Sequence, residues 1–176
     1  MPRLFTGLEI PPELAAELAS MRGGLFGARW IDVENYHLTL RFIGDIDDAT
    51  ANDIDLELGR IRRAPFEVTL QGLGFFGGDK PRAIVAKGQA VHPLIELQAE
   101  QERLIRRVGL PPEPRKFTPH VTLARLRGAS TMAVADYLGA RGFLSRRFQA
   151  DRFVLFSSRD SVGGGPYVIE ATYPLG

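Results

Sequence analysis

The chain has 176 residues, a length that suits one domain, with 44% hydrophobic and 24% charged residues and a formal net charge of +1 at pH 7. The absence of cysteine excludes disulfides, thiol catalysis and thiolate metal sites, and it suits a reducing compartment. The near-neutral charge gives no strong overall field for a polyanion, and no apolar run approaches the roughly 18–20 residues of a membrane span. We therefore expect a cytoplasmic protein outside the membrane.

The first half of the chain alternates between strand and helix signals. Alternating or apolar runs predict strands at residues 4–10, 37–43, 66–70 and 82–87. A first helix begins at Pro11 and Pro12, carries Leu14, Leu18 and Met21 on one face, and ends at the glycines that follow residue 22. A second helix covers residues 47–62, and the glycine-rich stretch 72–81 predicts a long hairpin tip.

The second half repeats this order. A helix over residues 92–108 follows the strand at 82–87, and a proline-rich loop at 110–114 precedes a strand at 120–126. A further helix at 131–138 leads to strands at 152–157 and 167–173, joined by a turn that contains three glycines at 163–165. Because strand, helix, strand, helix, strand occurs twice at a period of about 80 residues, we expect one duplicated domain over residues 1–176.

The predicted fold class is α+β, since strands do not alternate strictly with helices. We expect a bilobal molecule with pseudo-two-fold symmetry, in which two mainly antiparallel sheets flank a central cleft and the helices lie on the outside.

Two copies of a His-x-Thr-Leu motif are the most informative segments. Two of the three histidines carry it, in the strands that begin at His37 and His120. Side chains alternate between the two faces of a strand, so His37 shares a face with Thr39, and His120 shares a face with Thr122. Two unrelated strands with satisfied surface histidines would be the structural alternative.

Opposed imidazoles suit acid–base chemistry near neutral pH, because their unperturbed pKa is about 6.5. One imidazole can take a proton from water while the other gives a proton to a departing oxygen, and the two threonine hydroxyls can donate to phosphate oxygens. A strained cyclic phosphate suits such a pair. No carboxylate lies within two residues of either histidine to complete the three ligands of a hydrolytic zinc site, so we predict no catalytic metal and no cofactor.

The segments around both motifs resemble the two-histidine phosphoesterase superfamily, and in particular its bacterial and archaeal RNA 2′,3′-cyclic phosphodiesterases, historically called 2′-5′ RNA ligases. Residues 29–32 (RWID) and 35–44 (NYHLTLRFIG) are similar to the first block of that family, and residues 117–125 (FTPHVTLAR) to the second. Residues 155–158 (LFSS) and 173–175 (YPL) resemble its C-terminus.

This resemblance implies hydrolysis of RNA 2′,3′-cyclic phosphate ends to 2′-phosphates, with tRNA fragments among the possible substrates. We expect the protein to be a monomer. By position, His37 would donate a proton to the leaving 3′ oxygen and His120 would accept one from water. Thr39 and Thr122 would hold the phosphate, and Arg125 could contact it. Two alternatives stay open: a 2′-5′ ligase that joins tRNA halves, and a non-catalytic RNA or nucleotide binder.

Several other residues allow two interpretations. Strict alternation turns Arg125 away from His120, so a contact with phosphate requires a bulge or a strand end. Arg41 should share the face of His37, where it could line the cleft or form a salt bridge. His92 is expected at the surface, at a helix start.

Four basic residues bracket the second motif and could bind an RNA backbone or be solvated: Arg115, Lys116, Arg125 and Arg127. Five aromatic residues could stack on bases or fill the core: Trp30, Tyr36, Phe42, Phe76 and Phe117.

Overall fold

The computed structural model describes residues 3–141, 144–158 and 166–176. Its strands are β1 (Arg3–Glu9), β2 (Ala28–Trp30), β3 (His37–Asp45), β4 (Phe66–Phe76), β5 (Ala83–Gly88), β6 (His120–Leu126), β7 (Ser145–Ala150), β8 (Arg152–Ser158) and β9 (Tyr167–Pro174). Its helices are α1 (Pro12–Ala19), α2 (Asp48–Leu58), α3 (His92–Val108) and α4 (Thr131–Ala140), and a 3₁₀ turn covers Val33–Asn35.

The predicted helices and strands are confirmed, with α3 and β6 at the predicted bounds. The sequence did not predict two of the strands. One is β2, which has only three residues, and the other is β7, which contains two consecutive arginines. The main difference in length is β4, which runs to Phe76 because its glycine-rich end pairs with β5 and does not form the predicted long turn. The predicted turn at residues 163–165 lies outside the described residues.

Within the described residues, the strands form one antiparallel sheet of nine, where two sheets were predicted. Its order is β7-β4-β5-β6-β3-β1-β8-β9, and β2 pairs with the free end of β6. The two motif strands, β3 and β6, meet at the centre of this order through one registered pair, Leu38 and Val121. Three strands (β1, β8 and β9) therefore lie beyond β3 on one side and three (β5, β4 and β7) beyond β6 on the other, so the predicted sets of strands are joined into a single sheet.

A single large hydrophobic cluster holds the helices against the sheet. It contains buried side chains from all four helices, among them Leu18, Ile54, Leu97 and Val134. The apolar motif residues lie in the same cluster: Leu38, Leu40, Val121 and Leu123. Because strand side chains alternate, the helices cover the face of the sheet that carries these residues, and the motif histidines and threonines lie on the other face.

Candidate active site

The pairing of β3 with β6 brings the two motifs together although 83 residues separate them (120 − 37). The strands are antiparallel and Leu38 lies opposite Val121, so one residue further along His37 lies opposite Thr122, and Thr39 lies opposite His120. Residues that face each other across an antiparallel pair point to the same side of the sheet. The two histidines and two threonines therefore form a four-cornered site, with each residue type on one diagonal.

Both imidazoles are held in the same way. The Nδ1–H of His37 donates to the main-chain oxygen of Asn35 at 2.9 Å, and the Nδ1–H of His120 donates to that of Thr118 at 2.6 Å. A carbonyl oxygen can only accept a hydrogen bond, so the proton of each neutral ring is on Nδ1. Each Nε2 is thereby left as the atom that can exchange protons with a substrate.

His37 lies in an aromatic surrounding that none of the sequence motifs indicated. Its ring centroid is 4.9 Å from that of Phe5, 5.4 Å from that of Phe156 and 5.0 Å from that of Tyr167, which meets it edge-on. The pKa of His37 is lowered to about 4, mainly by burial and also by the charges of His120 and Arg125, while the hydrogen bond to Asn35 opposes these effects. The imidazole of His37 is therefore neutral at pH 7 in the free protein.

His120 has a more open position. Its ring meets Phe76 edge-on with the centroids 4.7 Å apart, and the residue stays partly exposed. Burial lowers the pKa of His120 below its ordinary value of 6.5, and the hydrogen bond to Thr118 opposes that effect. The two motifs are thus alike in geometry and different in surroundings, with the more apolar environment around His37.

Each motif strand contains a bulge at the same position. In β3, Thr39 and Arg41 pair with consecutive residues of β1, so Leu40 has no partner there. In β6, the corresponding residue, Leu123, has no partner on β5. After a bulge, every later side chain of the strand lies on the face opposite to the one that strict alternation would give it. The third residue after each histidine is therefore the point where simple alternation stops.

The bulge in β6 answers the question that the sequence left open about Arg125. After Leu123, the side chain of Ala124 is buried and Arg125 is exposed on the face that carries His120 and Thr122. Its charge lowers the pKa of His37, so the guanidinium lies near the site. The condition for a phosphate contact by Arg125 is thus met.

The bulge in β3 has the opposite consequence for Arg41. The prediction that Arg41 shares the face of His37 is wrong, because the side chain lies on the core side and is 6% exposed. Its Nε is 2.5 Å from an Oε of Glu102 on α3, and its Nη2 donates to the main-chain oxygen of Pro111 at 2.7 Å. The salt-bridge interpretation is confirmed: Arg41 ties β3 to α3 and to the loop that follows it.

Phe42 occupies in β3 the position that Arg125 occupies in β6, five residues after the histidine. It is 49% exposed, its ring is 5.7 Å from that of Phe5, and the guanidinium carbon of Arg115 lies 5.8 Å from its centroid. Of the five aromatic candidates, Phe42 and Phe76 are therefore at the site. The others pack with the hydrophobic core: Trp30, Tyr36 and Phe117.

The remaining candidates lie outside this arrangement or at its edge. His92 is exposed at the start of α3, as predicted. Arg115, Lys116 and Arg127 are exposed, and Arg115 pairs with Glu113 at 3.0 Å.

Within residues 3–141, 144–158 and 166–176, no group of three or more His, Asp or Glu side chains is placed to hold a metal ion. No helix in those ranges is both long and apolar enough to cross a membrane.

Sequence reasoning missed the aromatic wall formed by Phe5, Phe156 and Tyr167. The available signal was the largely apolar run at residues 4–8 (LFTGL) and the continuous apolar run at 153–156 (FVLF), a pattern of strands covered on both faces. The apolar runs in both strands were used only to predict strands. The pairing of Phe5 with Phe42 and Phe156, which brings the wall to His37, depends on the order of strands in the sheet.

The chain resembles known phosphoesterases in sequence and in fold. A family model described as LigT-like phosphoesterase matches the chain twice, over residues 8–85 and 87–167, in agreement with the predicted repeat. An RNA 2′,3′-cyclic phosphodiesterase of Aeropyrum pernix is 40% identical over 104 residues, which are 58% of this chain and 59% of that protein. One from Aquifex aeolicus is 30% identical over 156 residues, 84% of this chain and 82% of that protein. The crystal structure of Escherichia coli LigT complexed with 3′-AMP has a TM-score of 0.80 at 27% identity and covers 99% of both chains.

Proposed function

Because this chain belongs to the LigT-like phosphoesterase family, we propose that it hydrolyses 2′,3′-cyclic phosphate ends of RNA to 2′-phosphates. The observation that carries the proposal is the four-cornered site over Leu38 and Val121, in which the two free Nε2 atoms lie on one diagonal and the two hydroxyls on the other. A phosphate group over this pair has a proton donor, a proton acceptor and two hydroxyl donors around it.

In the proposed reaction, Nε2 of His120 takes a proton from water as the water oxygen forms a bond to phosphorus. The bond from phosphorus to the 3′ oxygen breaks, and Nε2 of His37 gives its proton to that oxygen. One water molecule is added in total and the phosphate stays on the 2′ oxygen. The family resemblance assigns the donor role to His37, since the near two-fold arrangement would allow either ring to donate.

The surroundings of His37 make its protonation depend on substrate. Its pKa of about 4 keeps the ring neutral in the free protein. The cyclic phosphate carries one negative charge, and a nearby opposite charge favours the protonated imidazole. We infer that the proton needed for the leaving oxygen is taken up together with the substrate.

The threonines and Arg125 are proposed to bind the non-bridging phosphate oxygens. Thr39 and Thr122 flank the position of the phosphorus, and Arg125 lies on the same face with its side chain exposed. Hydrogen bonds from such groups strengthen as charge builds up on phosphate oxygens in the transition state. They lower the reaction barrier without moving a proton.

The test is product analysis with a matched histidine control. Purified protein is incubated in excess EDTA with an oligonucleotide that ends in a 2′,3′-cyclic phosphate, and the terminus of the product is identified. We expect a 2′-phosphate, and a loss of roughly 10²–10⁴-fold in kcat for His37→Gln and for His120→Gln. His92→Gln, a change at the exposed third histidine, should keep wild-type turnover.

The same assay separates the two alternatives. A second RNA with a free 5′-hydroxyl is added, and a 2′-5′ joined product at a yield above that of hydrolysis would favour the ligase. Tight binding of the cyclic end with no product would favour the non-catalytic binder. A 3′-phosphate product would contradict the proposed direction of attack.

A further inference from the structure

The sheet face beside His120 carries one exposed lysine that the proposed reaction does not use. Lys87 on β5 is registered opposite His120 on β6, so both side chains lie on the same face of the sheet. Within the described residues, Lys87 forms no ion pair. Its ammonium group is therefore available to an anion that comes to this face.

Two glycines of β4 leave the space in which the stem of this lysine lies. A Cβ added at Gly74 would lie 3.1 Å from Cδ of Lys87, and one added at Gly72 would lie 3.4 Å from its Cε and 3.8 Å from its Nζ. Both contacts show that the lysine stem lies across β4 in the space that these glycines leave free. The ammonium group thus lies two strands away from β6, on the order of 10 Å across the sheet.

The opposite side of the site is lined by apolar side chains. Beyond β3, the face around His37 carries Phe5 and Phe156, and Ile169 of β9 is registered opposite Phe156. Desolvating a charged phosphate against apolar side chains is unfavourable. On the side of Lys87, Phe76 meets the ring of His120 edge-on, and at the edge of the same strands the face carries polar side chains, since Gln89 donates a hydrogen bond to Gln71.

We propose that Lys87, held in the groove over Gly72 and Gly74, binds the phosphate that joins the terminal nucleotide of the RNA to its 5′ neighbour. This proposal rests on the proposed function, since the cyclic end must occupy the histidine pair for the next phosphate to reach Lys87. The contact between Lys87 and this phosphate makes the protein selective for RNA chains over cyclic mononucleotides. The RNA strand leaves the site across β5 and β4, away from the aromatic wall.

The experiment compares two substrates that differ only in further phosphates. The first is adenosine 2′,3′-cyclic phosphate, and the second is a tetranucleotide with the same cyclic end. For Lys87→Gln we expect kcat/KM to fall about tenfold on the tetranucleotide, the effect of one charge-assisted contact, and to change less than twofold on the mononucleotide. The slope of log kcat/KM against log salt concentration should become smaller by about 0.7 on the tetranucleotide.

Two further variants separate this role from general effects. Gly74→Ala leaves the charge in place but puts a methyl group 3.1 Å from Cδ of Lys87, so the lysine stem must shift and we expect a smaller loss, again only on the tetranucleotide. Arg103→Gln removes one exposed charge from α3, on the helix side of the sheet, and should change neither substrate. An equal loss on both substrates, or no loss on either one, would overturn the proposal.

A binding measurement keeps the test valid if the chain turns over neither substrate. In that case the proposed function fails, and the affinity for a labelled tetranucleotide with a terminal 2′-phosphate is measured instead. The affinity should fall about tenfold for Lys87→Gln and stay unchanged for Arg103→Gln. Equal affinities for wild type and Lys87→Gln would show that Lys87 does not bind the RNA backbone.

Discussion

The buried imidazole of His37 should make the stability of this protein depend on pH between about 4 and 6.5. The folded pKa of His37 is about 4, whereas an unfolded histidine titrates near 6.5. Between these values the unfolded chain binds a proton that the folded chain excludes, so the free energy of unfolding rises with pH. As the pH falls below 6.5, protonation of the unfolded chain progressively lowers the free energy of unfolding. This loss is complete below about pH 4.

The magnitude follows from the difference of 2.5 pH units between the two pKa values. At 1.36 kcal/mol per unit, acidification from pH 7 to pH 4 costs up to about 3 kcal/mol of folding free energy through His37 alone. A typical domain has a total stability of about 5–15 kcal/mol, so the effect is large enough to measure.

The assay is urea denaturation at pH 4, 5, 6 and 7 for wild type and His37→Gln. Glutamine has no proton to gain in this range, while all other groups titrate in both proteins. We expect the stability of wild type relative to the variant to decrease by about 3 kcal/mol from pH 7 to pH 4. His92→Gln, at an exposed position, should follow wild type. A difference between wild type and His37→Gln that is the same at every pH would refute the reasoning.

The other predictions concern activity. His37→Ala and His120→Ala should each lower kcat by roughly 10²–10⁴-fold, and the double variant should be little worse than either single one, because the rings act as a unit; additive losses would contradict the pairing. Thr39→Ala and Thr122→Ala should cost less than either histidine change, since both proton-transfer groups remain. Turnover should persist in excess EDTA, and a loss that a divalent ion restores would contradict the prediction of metal independence. The profile of kcat/KM against pH should be bell-shaped with its optimum below 6.5, because burial lowers both imidazole pKa values and the proton donor is lost as pH rises; a steady rise to pH 9 would be incompatible with a histidine acid.

The sequence alone was sufficient for the features that depend on neighbouring residues. The period of two along a strand puts His37 with Thr39 and His120 with Thr122, whatever the rest of the chain does. The helical spacing of Leu14 and Leu18 likewise predicted the inner face of α1, and both side chains are buried. Such features follow from local backbone geometry, so they can be derived from a short window of sequence.

Features that depend on contacts between distant segments were decided by the tertiary structure. The pairing of Leu38 with Val121 joins the two motifs in one sheet, and the unpaired Leu40 and Leu123 decide which later side chains face the site. These bulges bring Arg125 to the histidine face, whereas local alternation had turned it away. A bulge depends on how two strands align along their whole length, which no single strand specifies.

The low pKa of His37 also depends on distant segments, because the ring of Phe156 comes from a strand 119 residues further along the chain (156 − 37). Proton affinity depends on everything packed around a group, so only the folded chain sets it.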